Sequence, residues 1–238
     1  MTPLFLVGLT GVGKSAAVGA LQRSGVPLTL LPNRRTLADT LMIPDVQRAA
    51  GEPVQAVTDR VERFALTWRY RERYPGGVVH ALGRYLQTAP PVETDTVVFD
   101  NLRGLEEAQA GVKMFPGARF ILLDAPPLVR VSRLVERRDG FDQVLATRLK
   151  DTPFDEQLRS LKGFDEMFDA FDLALELQGR AKNDVLKAVR IIMSEAENYD
   201  MSAATSYLRG EKDAAGLLHL DTADLSIDEV QARIRNWV

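Results

Sequence analysis

The sequence predicts an α/β fold: three layers, α/β/α, around a five-stranded, mostly parallel sheet with helical insertions. Three observations predict it. Five short apolar runs bounded by turn signals recur along the chain. Helical periodicity fills most of the sequence between them. At the junction of the first run and the following helix, Gly8-Leu9-Thr10-Gly11-Val12-Gly13-Lys14-Ser15 fits the phosphate-cradling pattern G-x-x-x-x-G-K-[ST].

The five runs are Leu4–Val7, Leu28–Leu31, Thr96–Phe99, Arg119–Leu123 and Leu217–Leu220. They are largely apolar rather than alternating, the pattern of strands buried on both faces. A helical run from Ala16 to Ser24 follows the first. A chain of 238 residues accommodates this as a single domain, 1–238. Two long intervals interrupt the alternation, 33–91 and 139–211. The first carries helical patterns such as Thr58–Tyr74 and ends in the breakers Ala89-Pro90-Pro91; the second reads as almost wholly helical, as in Ala181–Tyr199. Excursions leaving the C-terminal edge of a parallel sheet hang over its site, so these are expected as an acceptor-side insertion and a lid-side insertion.

Composition narrows the function classes. Hydrophobic residues make up 45% of the chain and charged residues 26%, ordinary globular values. A net charge of -3 gives no global pull toward nucleic acid or an anionic membrane. The absence of cysteine excludes disulfides, thiolate zinc sites and cysteine nucleophiles, and fits a reducing compartment. No apolar run approaches the length of a membrane span. The apolar N-terminus lacks a basic leader and runs into the phosphate loop, so it does not read as a signal peptide. The expectation is a cytoplasmic protein.

The loop's chemistry follows from its spacing. Its glycines let successive backbone N–H groups point inward as an anion nest, and the N-terminus of the helix beginning near Lys14 adds partial positive charge. Gly8, Thr10, Gly11, Val12, Gly13, Lys14, Ser15 and Ala16 are the candidate nucleotide-binding residues. Lys14 is placed to reach the β- and γ-phosphates of a nucleoside triphosphate, and the Ser15 hydroxyl to complete a Mg²⁺ shell. The run Thr96–Phe99 leads into Asp100, which at a strand tip is a candidate to hold Mg²⁺ through water or to accept a proton from an attacking hydroxyl. Asp124, ending the next run, competes for the metal role, and Asp100 alternatively reads as a helix cap. Arg103, a turn beyond Asp100, is a candidate to pair with a transferring phosphate.

Four arginines follow Pro127. Arg130, Arg133 and Arg137 share one helical face, and Arg137 and Arg138 lie nearest the presumed hinge at Asp139-Gly140. They are candidates for a lid clamp. A second group, Arg60, Arg63, Arg69, Arg71 and Arg73, is interleaved with Phe64, Trp68, Tyr70 and Tyr74. It fits an acceptor grip, a single-stranded nucleic-acid patch, or an amphipathic helix with core aromatics; a nucleic-acid partner is not favoured. Arg34 and Arg35 are placed by topology. No His or carboxylate spacing resembles a zinc site. His219 reads as a satisfied core histidine, and Trp68 and Trp237 as packing residues.

These stretches resemble the P-loop small-molecule kinases, the group containing nucleoside monophosphate kinases and dephospho-CoA kinase. The likeness lies in Phe5–Ser15, in Thr96–Arg138 (VVFDNLRGLEEA leading into RFILLDAPPLVRVSRLVERRD) and in LLHLDTADLSIDEVQARIRNWV at the end. The resemblance implies a P-loop NTPase fold, ATP and Mg²⁺, and phosphoryl transfer to a small-molecule acceptor, a nucleotide among the candidates. By position it assigns Lys14 and Ser15 to the triphosphate and metal, Asp100 and Arg103 to the reaction centre, Arg133, Arg137 or Arg138 to the lid, and Asp221 to Asp224 to the adenine border. The two helical intervals match no substrate pattern of that group, and the sequence leaves the acceptor and the oligomeric state open. GLTGVGKSAAVGALQRSGV is also similar to the opening of the bacterial RNase-adapter P-loop family, which implies a regulatory nucleotide domain with a protein or RNA partner.

Overall fold

A computed structural model describes residues 2–90, 94, 96–137 and 153–238. Five strands, β1 (Thr2–Val7), β2 (Leu28–Leu30), β3 (Thr96–Leu102), β4 (Arg119–Asp124) and β5 (Leu217–Asp221), form one sheet in the order β2-β3-β1-β4-β5. Every pairing is parallel. The helices in chain order are α1 (Lys14–Gln22), α2 (Arg34–Leu37), α3 (Ile43–Ala49), α4 (Arg60–Arg73), α5 (Gly77–Thr88), α6 (Gly104–Met114), α7 (Pro127–Arg137), α8 (Phe154–Arg159), α9 (Phe164–Met167), α10 (Ala170–Glu176), α11 (Lys182–Asn198), α12 (Met201–Glu211) and α13 (Ile227–Trp237). A π-helical turn, Ala38–Met42, joins α2 to α3.

Side chains alternate across a strand, and here both sets are apolar. Phe5, Val7, Val97, Phe99, Phe120 and Leu122 face one way, into a core shared with α5, α6 and α12. Leu4, Leu6, Val98, Ile121 and Leu123 face the other, against Ala17, Ala20 and Leu21 of α1 and Val230 and Ile234 of α13. The central strands β1, β3 and β4 are therefore covered on both faces, which is why their sequences read as largely continuous apolar runs. The last helix has a clear start signal: the Ser226 hydroxyl accepts from the Glu229 amide, and the Glu229 carboxylate accepts from the Ser226 amide.

A third core lies away from the sheet. Val131 of α7 packs there with Leu158, Phe164, Phe168, Leu173, Val185, Val189 and Ile192 from α8 to α11. Among the described residues, no helix is long and apolar enough to cross a membrane.

One strand departs from its expected end. β3 runs through Asp100 and Asn101 to Leu102, so Asp100 sits inside the strand rather than at its tip. Phe5 pairs with Phe99, but Val7 pairs with Leu102, so two steps on β1 face three on β3. The extra residue falls beside the phosphate loop, where such slips re-aim side chains. The Gly8 amide donates to the Leu102 carbonyl at 3.1 Å, keeping the loop's entry attached to β3.

Candidate functional site

The order of the sheet puts β1 between β3 and β4, and the loop leaving β1 stands at the carboxyl ends of all three strands. That crevice is where parallel α/β sheets place ligands. The loop's shape depends on glycine at two points. A Cβ on Gly8, at φ +149°, would lie 2.6 Å from the Leu123 carbonyl oxygen. A Cβ on Gly11, at φ +86°, would lie 3.0 Å from the Arg130 backbone. Close approach of β4 and α7 therefore requires both glycines. The helix begins at Lys14, directly after the left-handed Gly13.

Lys14 lies back on its own loop. Its Nζ donates to the Gly8 carbonyl at 2.8 Å and to the Leu9 carbonyl at 2.5 Å. Its pKa is lowered to about 7, first by burial and then by the Arg103 charge; Glu195 and Asp100 oppose the shift. Asp100 thus acts on Lys14 electrostatically, and among the described residues its carboxylate has no protein hydrogen-bond partner. Asp100 is not a helix cap: Arg103 occupies that position before α6.

Three arginines of α7 bind the loop itself, one turn after another. Arg130 is 5% exposed, and its Nε donates to the Thr10 carbonyl at 2.8 Å. Arg133 donates to the Gly11 carbonyl at 3.1 Å and to the Thr222 hydroxyl at 2.9 Å. Arg137, which is exposed, donates to Ser15 Oγ at 3.1 Å. Burial holds the Arg130 guanidinium below its ordinary pKa, with Glu195 opposing. The spacing placed these three on one face; contact with the loop distinguishes the inner pair, Arg130 and Arg133, as the more enclosed. Arg138 and the hinge at Asp139-Gly140 lie outside the described residues, as does the side chain of Arg60.

The sequence reading missed the residue that ties the site together. Glu195, on α11, is 7% exposed. One carboxylate oxygen accepts from the Thr10 amide at 2.9 Å and from Arg130 at 2.7 Å. The other accepts from the Thr10 hydroxyl and from Arg103 at 2.7 Å. Its sequence signal was a lone acid on the buried stripe Ala188, Ile192, Glu195, spaced i, i+4, i+7. Thr222 was also missed as a specific contact. It is 2% exposed, its amide donates to the Asp124 carbonyl, and its hydroxyl lies 3.1 Å from the Val12 carbonyl.

Other candidates take different places. Asp124 ends β4, and its carboxylate accepts from the Ala125 amide at 2.9 Å. Arg34 donates to the Asn101 carbonyl at 3.2 Å and pairs with the buried Glu107, while Arg35 is exposed. Guanidiniums of Arg34, Arg71 and Arg103 lie 5.4 to 5.7 Å from the Tyr199 ring centre. Of the aromatics on α4, Tyr70 is fully buried, whereas Phe64 and Trp68 are about half exposed. Trp68 is therefore not a core residue; Arg71 lies over its indole at 5.5 Å. Trp237 stacks with Arg119 at 3.9 Å. His219 is only half satisfied among the described residues: Nδ1 contacts Arg209 at 2.6 Å, and the buried Nε2 has no partner there. Among the described residues, no cluster of His, Cys, Asp and Glu suits a metal held by protein alone.

A cleft of about 680 Å³ opens beside the loop, between Leu9, the start of α6 (Gly104, Leu105, Glu106) and the turn around Tyr199. It is the right size for a small molecule.

No family model matches the sequence, and no curated protein matches it. Among solved structures, the chain is similar in shape to a gluconokinase from Sinorhizobium meliloti 1021, at 14% identity and a TM-score of 0.46, over 99% of this chain and 90% of that one. It is also similar to a sugar kinase from Janibacter sp. HTCC2649, at 13% identity and a TM-score of 0.45, over 100% and 94%.

Proposed function

We propose that the protein is a P-loop phosphotransferase that uses a nucleoside triphosphate, ATP by family likeness, to phosphorylate a small molecule. The observation that carries this reading is the charge of the loop. Among the described residues, Lys14, Arg130, Arg133 and Arg137 bond to it directly, and Glu195 is the one carboxylate that does. Together with inward amides and a helix N-terminus, this is a site built for an anion with several charges. The pKa of Lys14 is depressed chiefly by burial, with the Arg103 charge as the second cause, so an anion in the loop would favour its charged form.

The residues fit a Mg²⁺–nucleotide. Loop amides and Lys14 would hold its phosphates; Ser15 and Asp100 would serve Mg²⁺, which when bound supplies charge neutralisation at the phosphoryl group. The chain's own part is positioning and electrostatics. Arg103 and Arg130, both bonded to Glu195 beside Thr10, would stabilise the charge that spreads over equatorial oxygens during transfer. The cleft beside Leu9 and Tyr199 is the place for the acceptor. Asp100, whose carboxylate has no hydrogen-bond partner among the described residues, is available to accept a hydroxyl proton.

A second reading, a nucleotide-dependent switch with a macromolecular partner, draws on the contact of Thr10 with Glu195 from a distant helix. Acceptor dependence separates the two. ADP formation is measured over a panel of polyols, sugars and nucleosides, with Lys14→Ala alongside. A kinase consumes ATP many times faster with one acceptor class, and Lys14→Ala removes that turnover while circular dichroism stays native. Turnover indifferent to every acceptor, or undiminished in Lys14→Ala, refutes the phosphotransferase.

A further inference from the structure

The carboxylate of Glu195 occupies an unusual place for an acid. It is surrounded by the amide and hydroxyl of Thr10 and by the guanidiniums of Arg103 and Arg130. It also acts on the Lys14 ammonium. Every one of these groups is a donor or a cation of the kind that receives phosphoryl oxygens. The four bonds made at once offset the cost of burying this acid.

We infer that Glu195 is the specificity-determining residue for the terminal phosphate: it stands in for that group on the phosphate loop, and only a nucleotide carrying a third phosphate displaces it. The inference rests on the nucleotide-binding reading of the loop. A diphosphate ends deeper in the anion nest and leaves Glu195 on Thr10, Arg103 and Arg130. A triphosphate brings a second anion to the same donors, and two anions sharing them repel. Because Glu195 lies on α11, and α11 packs on α7 in the third core, its release frees one attachment of that helical region to the loop. The site would thereby register which nucleotide it holds.

The test is nucleotide affinity, with Mg²⁺, of a non-hydrolysable ATP analogue and of ADP, in the wild-type protein and in Glu195→Gln. Glutamine keeps the shape and removes the charge. A like charge at hydrogen-bond range in a partly enclosed site amounts to a tenfold or greater effect, so Glu195→Gln should raise the triphosphate-to-diphosphate affinity ratio by about tenfold. If Glu195 merely props Arg103 and Arg130, the ratio stays level or falls, which overturns the inference while leaving the loop's role intact. Absence of binding by both nucleotides to the wild-type protein overturns the loop reading itself. If the variant does not fold, amide exchange on the wild-type protein decides. Faster exchange near the end of α11 with the ATP analogue, and unchanged exchange with ADP, supports displacement; equal exchange with the two nucleotides refutes it.

Discussion

Nucleotide binding should take up a proton at mildly alkaline pH, and Lys14 should be the group that binds it. Without ligand, Lys14 has a pKa of about 7, chiefly because burial disfavours its charge and Arg103 repels it. A polyphosphate in the loop supplies the missing negative charge and moves the pKa back toward 10.5, the ordinary lysine value. At pH 8 roughly nine-tenths of the free protein carries a neutral amine, while the complex carries an ammonium, so binding takes up about 0.9 proton. Between pH 7 and the pKa of the complex, each unit of rising pH costs up to about tenfold in affinity, or about 1.4 kcal/mol; below about pH 6 affinity no longer depends on this group's titration and its full contribution is present. Full recovery of the ordinary value would contribute about 5 kcal/mol, an upper limit. The assay is titration calorimetry of a Mg²⁺–triphosphate analogue at pH 8 in HEPES, tricine and Tris, whose ionisation heats differ. The slope of observed heat against buffer heat counts the protons. The nucleotide's own terminal ionisation lies near pH 6 and contributes little at pH 8. Lys14→Met should bind more weakly and take up close to none. Equal uptake by the two proteins would refute the assignment of the proton to Lys14.

Two further changes probe the walls of the site. Arg130→Met removes one of the two cations that neutralise the buried Glu195, and should lower unfolding stability by about 3 to 5 kcal/mol, read from urea midpoints; a loss below about 1 kcal/mol would show that Arg103 suffices alone. Gly11→Ala forces a side chain into a left-handed position against the Arg130 backbone, at a cost of about 1 to 3 kcal/mol. It should weaken triphosphate binding with the fold retained, and native affinity in this variant would mean that α7 is free to retreat.

How much of this was legible depended on distance along the chain. The central strands were readable because they are buried on two faces, which makes Leu4–Val7 or Val97–Phe99 apolar throughout. The phosphate loop was readable because its constraints are local: glycine where β4 and α7 approach, and lysine at the first turn of α1. Asp100 was read as a strand end because an apolar run stops there; the backbone pairing continues to Leu102, and no side-chain pattern encodes a register slip. Glu195 lies 185 positions from the Thr10 it binds, and only its presence on an otherwise buried stripe set it apart. Spacing put Arg130, Arg133 and Arg137 together but gave no order among them. Their ranking follows from how deeply α7 sinks against Gly11, a tertiary fact.

The two sides of α7 tie remote parts of the molecule to one equilibrium. Arg130 leans on the loop while its neighbour Val131, fully enclosed, helps close the core beneath α8 to α11. A cavity made far away, for instance by trimming Phe168, would therefore loosen the grip on phosphate without touching it. By reciprocity, a ligand on the loop would reinforce that distant core by the same free energy.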